Sequence, residues 1–408
     1  MGHHTLDKSS LAPLIDRLNK YPIGLVDNDK LRQILSLLFG QDEAYVASRF
    51  PLEEATLEEL EKATGMAGSK LLPILERMAE KGLVADMPYK GVTYYLLIPG
   101  LIGFFEFTFM KSRTDIPMDA VARLMAGYLE ERGPKGQMNE ILGHPTHLTR
   151  ALTHPDEIPV TAKIASYDDA REIIKNAGFG AVGMCYCRHK KEHQGIKCKR
   201  GAPIEGICIS LGVAARFLSR RGFMQEKSVD ELLDILKTAR SYHLTHVTEN
   251  VREKPSFLCN CCRCCCVLMH GIQMGYADGV GKTPFLAEVD ESKCDYCGKC
   301  MAACNAKAIG AGIKETGGER HRVAAVDSSI CLGCGACVST CAPGAISLAP
   351  RAGATVPPRT HDGMFGRMMW EKGRLWPLFI SRMRKLGRNL RGRLAGKGRT
   401  RPPHILDT

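Results

Sequence analysis

Apolar residues first recur at helical spacing at Leu31, Ile34, Leu35 and Leu38, with Gly40 ending the run. Thr56 and Glu59 form a capping box that predicts a helix over residues 57–63, stopped by Gly65. Ser69 stands where it would cap a third helix reaching Lys81, with Gly82 at its end. Residues 83–87 and 92–98, joined by a turn containing Gly91, read as a hairpin. The longest apolar run, residues 92–110, is broken by Pro99-Gly100 and carries Glu106, so it reads as a strand and a following segment, not a membrane span. A helix over 119–131 and loops marked by Pro134, Pro145, Pro155 and Pro159 make a connector. Beyond it the pattern predicts a helix over 167–177 stopped by Gly178, a short strand over 181–184 and a helix over 205–219. Another helix, over 229–241, is boxed by Ser228 and Glu231. Strands follow at 285–289, 322–326 and 345–348, with a hydrophilic hairpin-like insertion over 310–322 around Gly317-Gly318. After Pro377, residues Phe379, Met383, Leu386 and Leu390 share one helical face. Arg382, Arg384, Lys385, Arg388, Arg391 and Arg393 cover much of the rest.

These 408 residues suffice for two to four domains, and 44% apolar with 25% charged residues is the balance of a globular chain. The expected class is α+β and multi-domain: a helix-and-hairpin domain at 1–110, a connector at 111–160, and a Cys-rich α/β middle domain at 161–285. A further unit at 286–350 and a basic amphipathic tail at 351–408 complete it, with residues 396–408 disordered. The helix–helix–turn–helix–hairpin order of the first domain resembles the winged-helix module of many bacterial regulators, which implies DNA binding through the helix at about 70–81. Charge argues against that role. Residues 1–110 hold 11 Lys+Arg against 15 Asp+Glu, and phosphate contacts dominate affinity for DNA, so nucleic acid is disfavoured. Residues 351–408 hold 14 Lys+Arg against 3 Asp+Glu and both Trp, Trp370 and Trp376. That tail reads as docking to a membrane surface or an acidic partner.

Cysteine changes the picture most. There are 18, and the N-terminus has neither an apolar leader segment nor a twin-Arg pair, so reduced, metal-bound thiols in a cytoplasm are expected in place of disulfides. The tail adds a peripheral location at the inner face of the membrane to that expectation. Cys294, Cys297, Cys300 and Cys304 follow C-x2-C-x2-C-x3-C, and Cys331, Cys334, Cys337 and Cys341 repeat it, with Pro343 close behind. Thiolate runs of this spacing are the bacterial signature of paired [4Fe–4S] clusters. Residues 286–350 thus resemble the bacterial two-cluster ferredoxins. In such pairs the fourth Cys of each run ligates the other cluster, which assigns Cys294, Cys297, Cys300 and Cys341 to one and Cys331, Cys334, Cys337 and Cys304 to the other. Asn305 departs from the pattern, standing where Pro usually follows. Paired structural zinc sites, the alternative, prefer two separated CxxC pairs.

The middle domain holds ten more. Cys185, Cys187, Cys198 and Cys208, with Arg188 beside them, are spaced C-x-C-x10-C-x9-C, the first two expected in a loop and Cys208 just inside a helix. They are expected to bind a third [4Fe–4S] cluster, with zinc the alternative. Cys259, Cys261, Cys262, Cys264, Cys265 and Cys266 put six Cys into eight positions. This run reads as a further cluster, as ligands completing the first set, or as a redox-active thiol pair beside Arg263. His243, His246 and His270 are candidate extra ligands. The pairing of the two motifs resembles a group of multi-cluster ferredoxin-type proteins of anaerobic bacteria. In that group a winged-helix-like region precedes a Cys-rich middle and a two-cluster end. The expected function is single-electron relay to a redox partner, a flavoprotein or membrane complex, since no GxGxxG nucleotide loop is present. A redox-sensing regulator and a reductase with an open iron at the middle site are the alternatives. No catalytic residue stands out.

Overall fold

Thr56 accepts the Glu59 N–H and Glu59 reaches back to the Thr56 N–H, so the helix Leu57–Thr64 starts at its capping box and ends at left-handed Gly65. The next helix, Gly68–Glu80, begins one residue before Ser69. Ser69 is therefore not its cap. The Glu61 carboxylate takes the Gly68 N–H instead, placing an anion at the positive end of the helix. Strands Val84–Tyr89 and Val92–Leu97 pair antiparallel through Lys90 and Gly91, both at positive φ, and the short strand Ala55–Thr56 joins the outer edge of the second. Upstream lie helices Lys8–Leu18, Asp29–Leu38 and Gln41–Ser48, and Gly40 opens the last of these besides ending the one before.

These elements come from a computed structural model, which describes residues 8–160, 162, 164–316 and 319–375. Its contacts divide the chain into two units: Met1–Glu140, Arg220–Phe223 and His361–Thr408 form one, Ile141–Ser219 and Met224–Thr360 the other. Both mix helix and strand, an α+β composition. The division cuts through the expected connector, leaving helix Met118–Leu129 in the first unit and strand Thr149–Leu152 in the second. Residues of the expected tail also fold into the first unit. Helix His361–Glu371 buries Met364, Met368 and Met369 and leaves Trp370 exposed, while Trp376 and the amphipathic stretch after it lie outside the described residues. The apolar run after residue 92 becomes the second hairpin strand and the short helix Phe105–Thr108. No helix among the described residues is long and apolar enough to cross a membrane.

The second unit is built on a six-stranded, wholly antiparallel sheet. Its order is Thr149–Leu152, Thr245–Glu249, Phe257–Cys261, Cys208–Leu211, Gly180–Gly183, Met224–Lys227. Side chains alternate across a strand, so Ile209, Leu211 and Leu258 face one side, where Ile173, Ile174, Leu232 and Leu236 of helices Ala170–Ala177 and Val229–Ser241 cover them. Cys208, Cys259 and Cys261 therefore face the other. Cys208 opens a strand, not a helix, and helix Gly212–Arg220 follows it. Against this body stand a two-stranded sheet, Phe285–Val289 with Ile346–Pro350, and the hairpin Ile309–Thr316/Glu319–Val326, which corresponds to the expected insertion.

In the first unit, Lys372 Nζ donates to the Glu140 carboxylate at 2.8 Å and to the Pro22 carbonyl at 2.9 Å, with only 2% of its side chain exposed. Burial pushes the Glu140 carboxyl up, but Lys372, the Gly24 N–H and Arg374 outweigh it and hold the group below the usual carboxylate range. The stability from this contact is thus present above the ordinary carboxylate pKa and lost as pH falls through the lower folded value. Glu140→Gln leaves a buried ammonium without a counter-charge and is expected to destabilise the first unit by roughly 3 kcal/mol. A shifted urea midpoint at neutral pH, shrinking toward nothing in acid, checks it.

Candidate metal centres

Seven of the eight C-terminal cysteines sit in turns and loops and Cys300 in the short helix Lys299–Ala303, and tight turns made by glycine bring them round. Gly333, at φ +73, could not carry a side chain: a Cβ there would lie 2.1 Å from the Phe285 carbonyl oxygen. Cys294, Cys297, Cys300 and Cys341 line one small pocket with Ala324 and Ala345. Cys304 lies in the electrostatic field of Cys331, and Cys334 and Cys337 lie in that of both. The fourth cysteine of each run is thus beside the other run. Backbone N–H groups aim at sulfur: Ala324 at Cys294 (3.4 Å), Ala345 at Cys341 (3.2 Å) and Ala308 at Cys304 (3.2 Å). An all-thiol donor set ringed by N–H donors suits an anionic iron–sulfur group. Burial pushes the Cys334 thiol up to about 11 and shifts Cys304 and Cys337 the same way. Loading these ligands with metal therefore releases protons, and acid opposes it.

The ten middle cysteines do not divide as the two sequence motifs do. Cys185 caps the helix Tyr186–Glu192, and Cys187 lies in its first turn, not in a loop. Cys187 meets both Cys185 and Cys266; Cys266 meets Cys261, Cys261 meets Cys259, and Cys259 meets Cys208. Cys208 also lies near Cys185 and Cys187, so these six thiols form a ring. Cys198 is elsewhere. It lies 3.7 Å from both Cys262 and Cys264, and Cys264 is 3.6 Å from Cys262 and 3.5 Å from Cys265. The quartet Cys185, Cys187, Cys198 and Cys208 is therefore not one site, and neither is the run 259–266. Strand alternation explains the division: Cys259 and Cys261 project from the end of a strand, and the chain then turns, sending Cys262, Cys264 and Cys265 toward Cys198. Cys266 turns back at the start of helix Val267–Gln273.

Arg188 stands between the two groups with 2% exposure. Its Nη2 donates to the Asn260 carbonyl, and burial opposes its charge, but Cys185, Cys262 and Cys198 hold the pKa up. His246 is not among the ligands: it pairs with Asn260 on the face opposite Cys259 and Cys261, its Nδ1 2.6 Å from Asn260 Oδ1. Among the described residues, no imidazole joins the tight quartet.

Two residues that drew little or no attention in the sequence connect these sites. Thr245 lies opposite Cys261 in the sheet, and its hydroxyl donates to Cys334 Sγ at 3.4 Å. Asn305, the departure from the ferredoxin pattern, is 1% exposed. Its amide donates to the His243 carbonyl (2.7 Å) and Thr245 Oγ1 (3.0 Å), and its oxygen accepts from the Arg263 N–H and Arg200 Nη2, both 3.2 Å. A proline could make none of these bonds. Only the departure itself could have pointed there.

Comparison with protein families matches residues 293–345 to the 4Fe-4S dicluster domain. No curated protein and no solved structure matches the chain significantly. The match and the thiol geometry agree that this is an iron–sulfur protein. Asn305→Ala strands buried donors and acceptors at about 1–3 kcal/mol each and is expected to lower the thermal midpoint of the second unit. Thermal unfolding followed beside cluster absorbance checks this, bleaching being expected at a lower temperature than in the parent.

Proposed function

We propose that this protein relays single electrons between a redox partner and a buried thiolate-bound iron–sulfur site. The relay passes through two [4Fe–4S] clusters held by Cys294, Cys297, Cys300, Cys341 and by Cys304, Cys331, Cys334, Cys337. When bound, the clusters supply one-electron redox capacity; the protein supplies position, hydrogen bonds and burial. Graded exposure supports a direction. Cys297 is exposed, whereas Cys331 and Cys337 are buried. The first quartet is the natural contact for a flavoprotein or membrane complex, and the second faces inward. Thr245 carries the reading furthest, since its contact with Cys334 and its place opposite Cys261 form a packed bridge from the second quartet to the six-thiol ring. That ring is the candidate for the further cluster. The basic residues beyond 376 offer a docking segment for an anionic membrane surface or acidic partner.

Thr245→Val tests the bridge. It removes a donor to cluster sulfur, so the midpoint potential of that cluster shifts negative while iron content stays constant. The whole reading is tested by iron and sulfide analysis and EPR of anaerobically reduced protein. About eight irons from the pair, and more from the ring, with magnetically coupled signals, are expected. Fewer than about eight, or centres that no mild reductant reduces, would end it.

A second reading is favoured by one observation. Strand Ala55–Thr56, helices Leu57–Thr64 and Gly68–Glu80, and a hairpin whose second strand pairs with that first strand support a winged-helix domain, hence a redox-responsive regulator. The net acidity of residues 1–110 counts against DNA as its target. Salt-sensitive shifting of genomic fragments by holo- or apoprotein would restore it.

A further inference from the structure

We propose that Cys198, Cys262, Cys264 and Cys265 bind a single zinc ion as a tetrahedral tetrathiolate, and that this ion pins the Cys-rich loops to the ferredoxin-like part of the second unit. The argument is one of spacing. A metal about 2.3 Å from each of four tetrahedral thiolates sets them about 3.8 Å apart. The neighbouring sulfurs lie 3.5–3.7 Å apart, and all four lie within 4.8 Å of one another. An iron–sulfur cube places each thiolate on a different iron and so spreads them. Among the described residues, the Cys198 group alone gathers its sulfurs so closely.

Charge and coordination agree. Four thiolates on a divalent ion leave two net negative charges, and three guanidinium groups are placed to offset them. Arg188 is buried against Cys198 and Cys262, with Nε and Nη1 lacking any other partner. Arg200 lies in the field of Cys262, Cys264 and Cys198, with Arg263 close by. The backbone N–H groups of Arg200 and Lys199 serve the sulfurs of Cys198 and Cys264. Among the described residues neither a histidine nor a carboxylate joins the set, and four thiolates leave no open position, the arrangement of a structural zinc and not of a catalytic one.

Its location gives the ion a task. It joins two loops 64 residues apart in sequence. From one loop Arg200 donates to the Ala303 carbonyl, and from the other Arg263 donates to the Met301 carbonyl, while both reach Asn305 Oδ1. Ala303 and Met301 lie in the helix Lys299–Ala303, immediately before Cys304. The zinc therefore holds the loops that hold a cluster ligand.

The test is zinc, iron and sulfide analysis of the full chain purified anaerobically, beside a Cys198→Ala/Cys264→Ala variant. One zinc per chain in the parent, lost from the variant while iron and sulfide stay unchanged, is expected. Loss of about four irons with their sulfide would overturn the proposal. So would the absence of zinc, or a lone iron in its place. Should the variant fail to fold, protein produced with cobalt decides: the ligand-field bands of tetrahedral cobalt(II) tetrathiolate support the site, and their absence overturns it. The outcome is independent of the electron-transfer reading, which fails on the iron content or the reducibility of the clusters and not on zinc.

Discussion

Thiolates repel one another and resist ionisation when buried, so cysteines gathered as closely as these can ionise only beside cations or hydrogen-bond donors. Every prominent feature of the second unit answers to this constraint. N–H groups of Ala308, Ala324 and Ala345 point at sulfur, Arg188 is buried between two thiol groups, and Arg200 and Arg263 flank the tighter one. The sheet serves the same end. Its helix-covered face carries the apolar core, which frees the opposite face to present Cys208, Cys259 and Cys261.

Polar groups join the Cys-rich body to the ferredoxin-like segment at several points. Thr245 and Asn305 satisfy partners from both, and Asn305 spends all its hydrogen-bonding groups doing so. The His154 N–H donates to the Cys334 carbonyl, and the Thr153 hydroxyl to the Gly333 carbonyl. A two-cluster ferredoxin acting alone has no use for such contacts. These contacts pack the Cys304, Cys331, Cys334 and Cys337 loops against the Cys-rich body of the same unit, whereas Cys297 of the other quartet is exposed.

Local signals proved reliable where the interactions themselves are local. Ser228 and Glu231 box the helix Val229–Ser241, Thr56 and Glu59 box Leu57–Thr64, and Gly178 ends Ala170–Ala177 in a left-handed cap. Each rests on bonds within four residues. The misplacements arose where a distant group took over. Glu61 displaced Ser69 as the cap of its helix, and pairing with Leu258 drew Ile209, and Cys208 with it, into a strand.

The same division runs through the metal sites. By itself the sequence marked the eight C-terminal cysteines as an iron–sulfur run, because a short thiolate spacing repeated twice is the signature of such sites. It determined also that the ten middle cysteines are too many to be ordinary core residues. Only the tertiary structure decided which of them meet. Six come together across strands and helix starts as a ring, and four gather as a tight group through a loop 64 residues from its partner. Adjacent residues such as Cys265 and Cys266 go to different sites because the turn after a strand sends neighbouring side chains in opposite directions, and spacing along a chain carries no record of that turn.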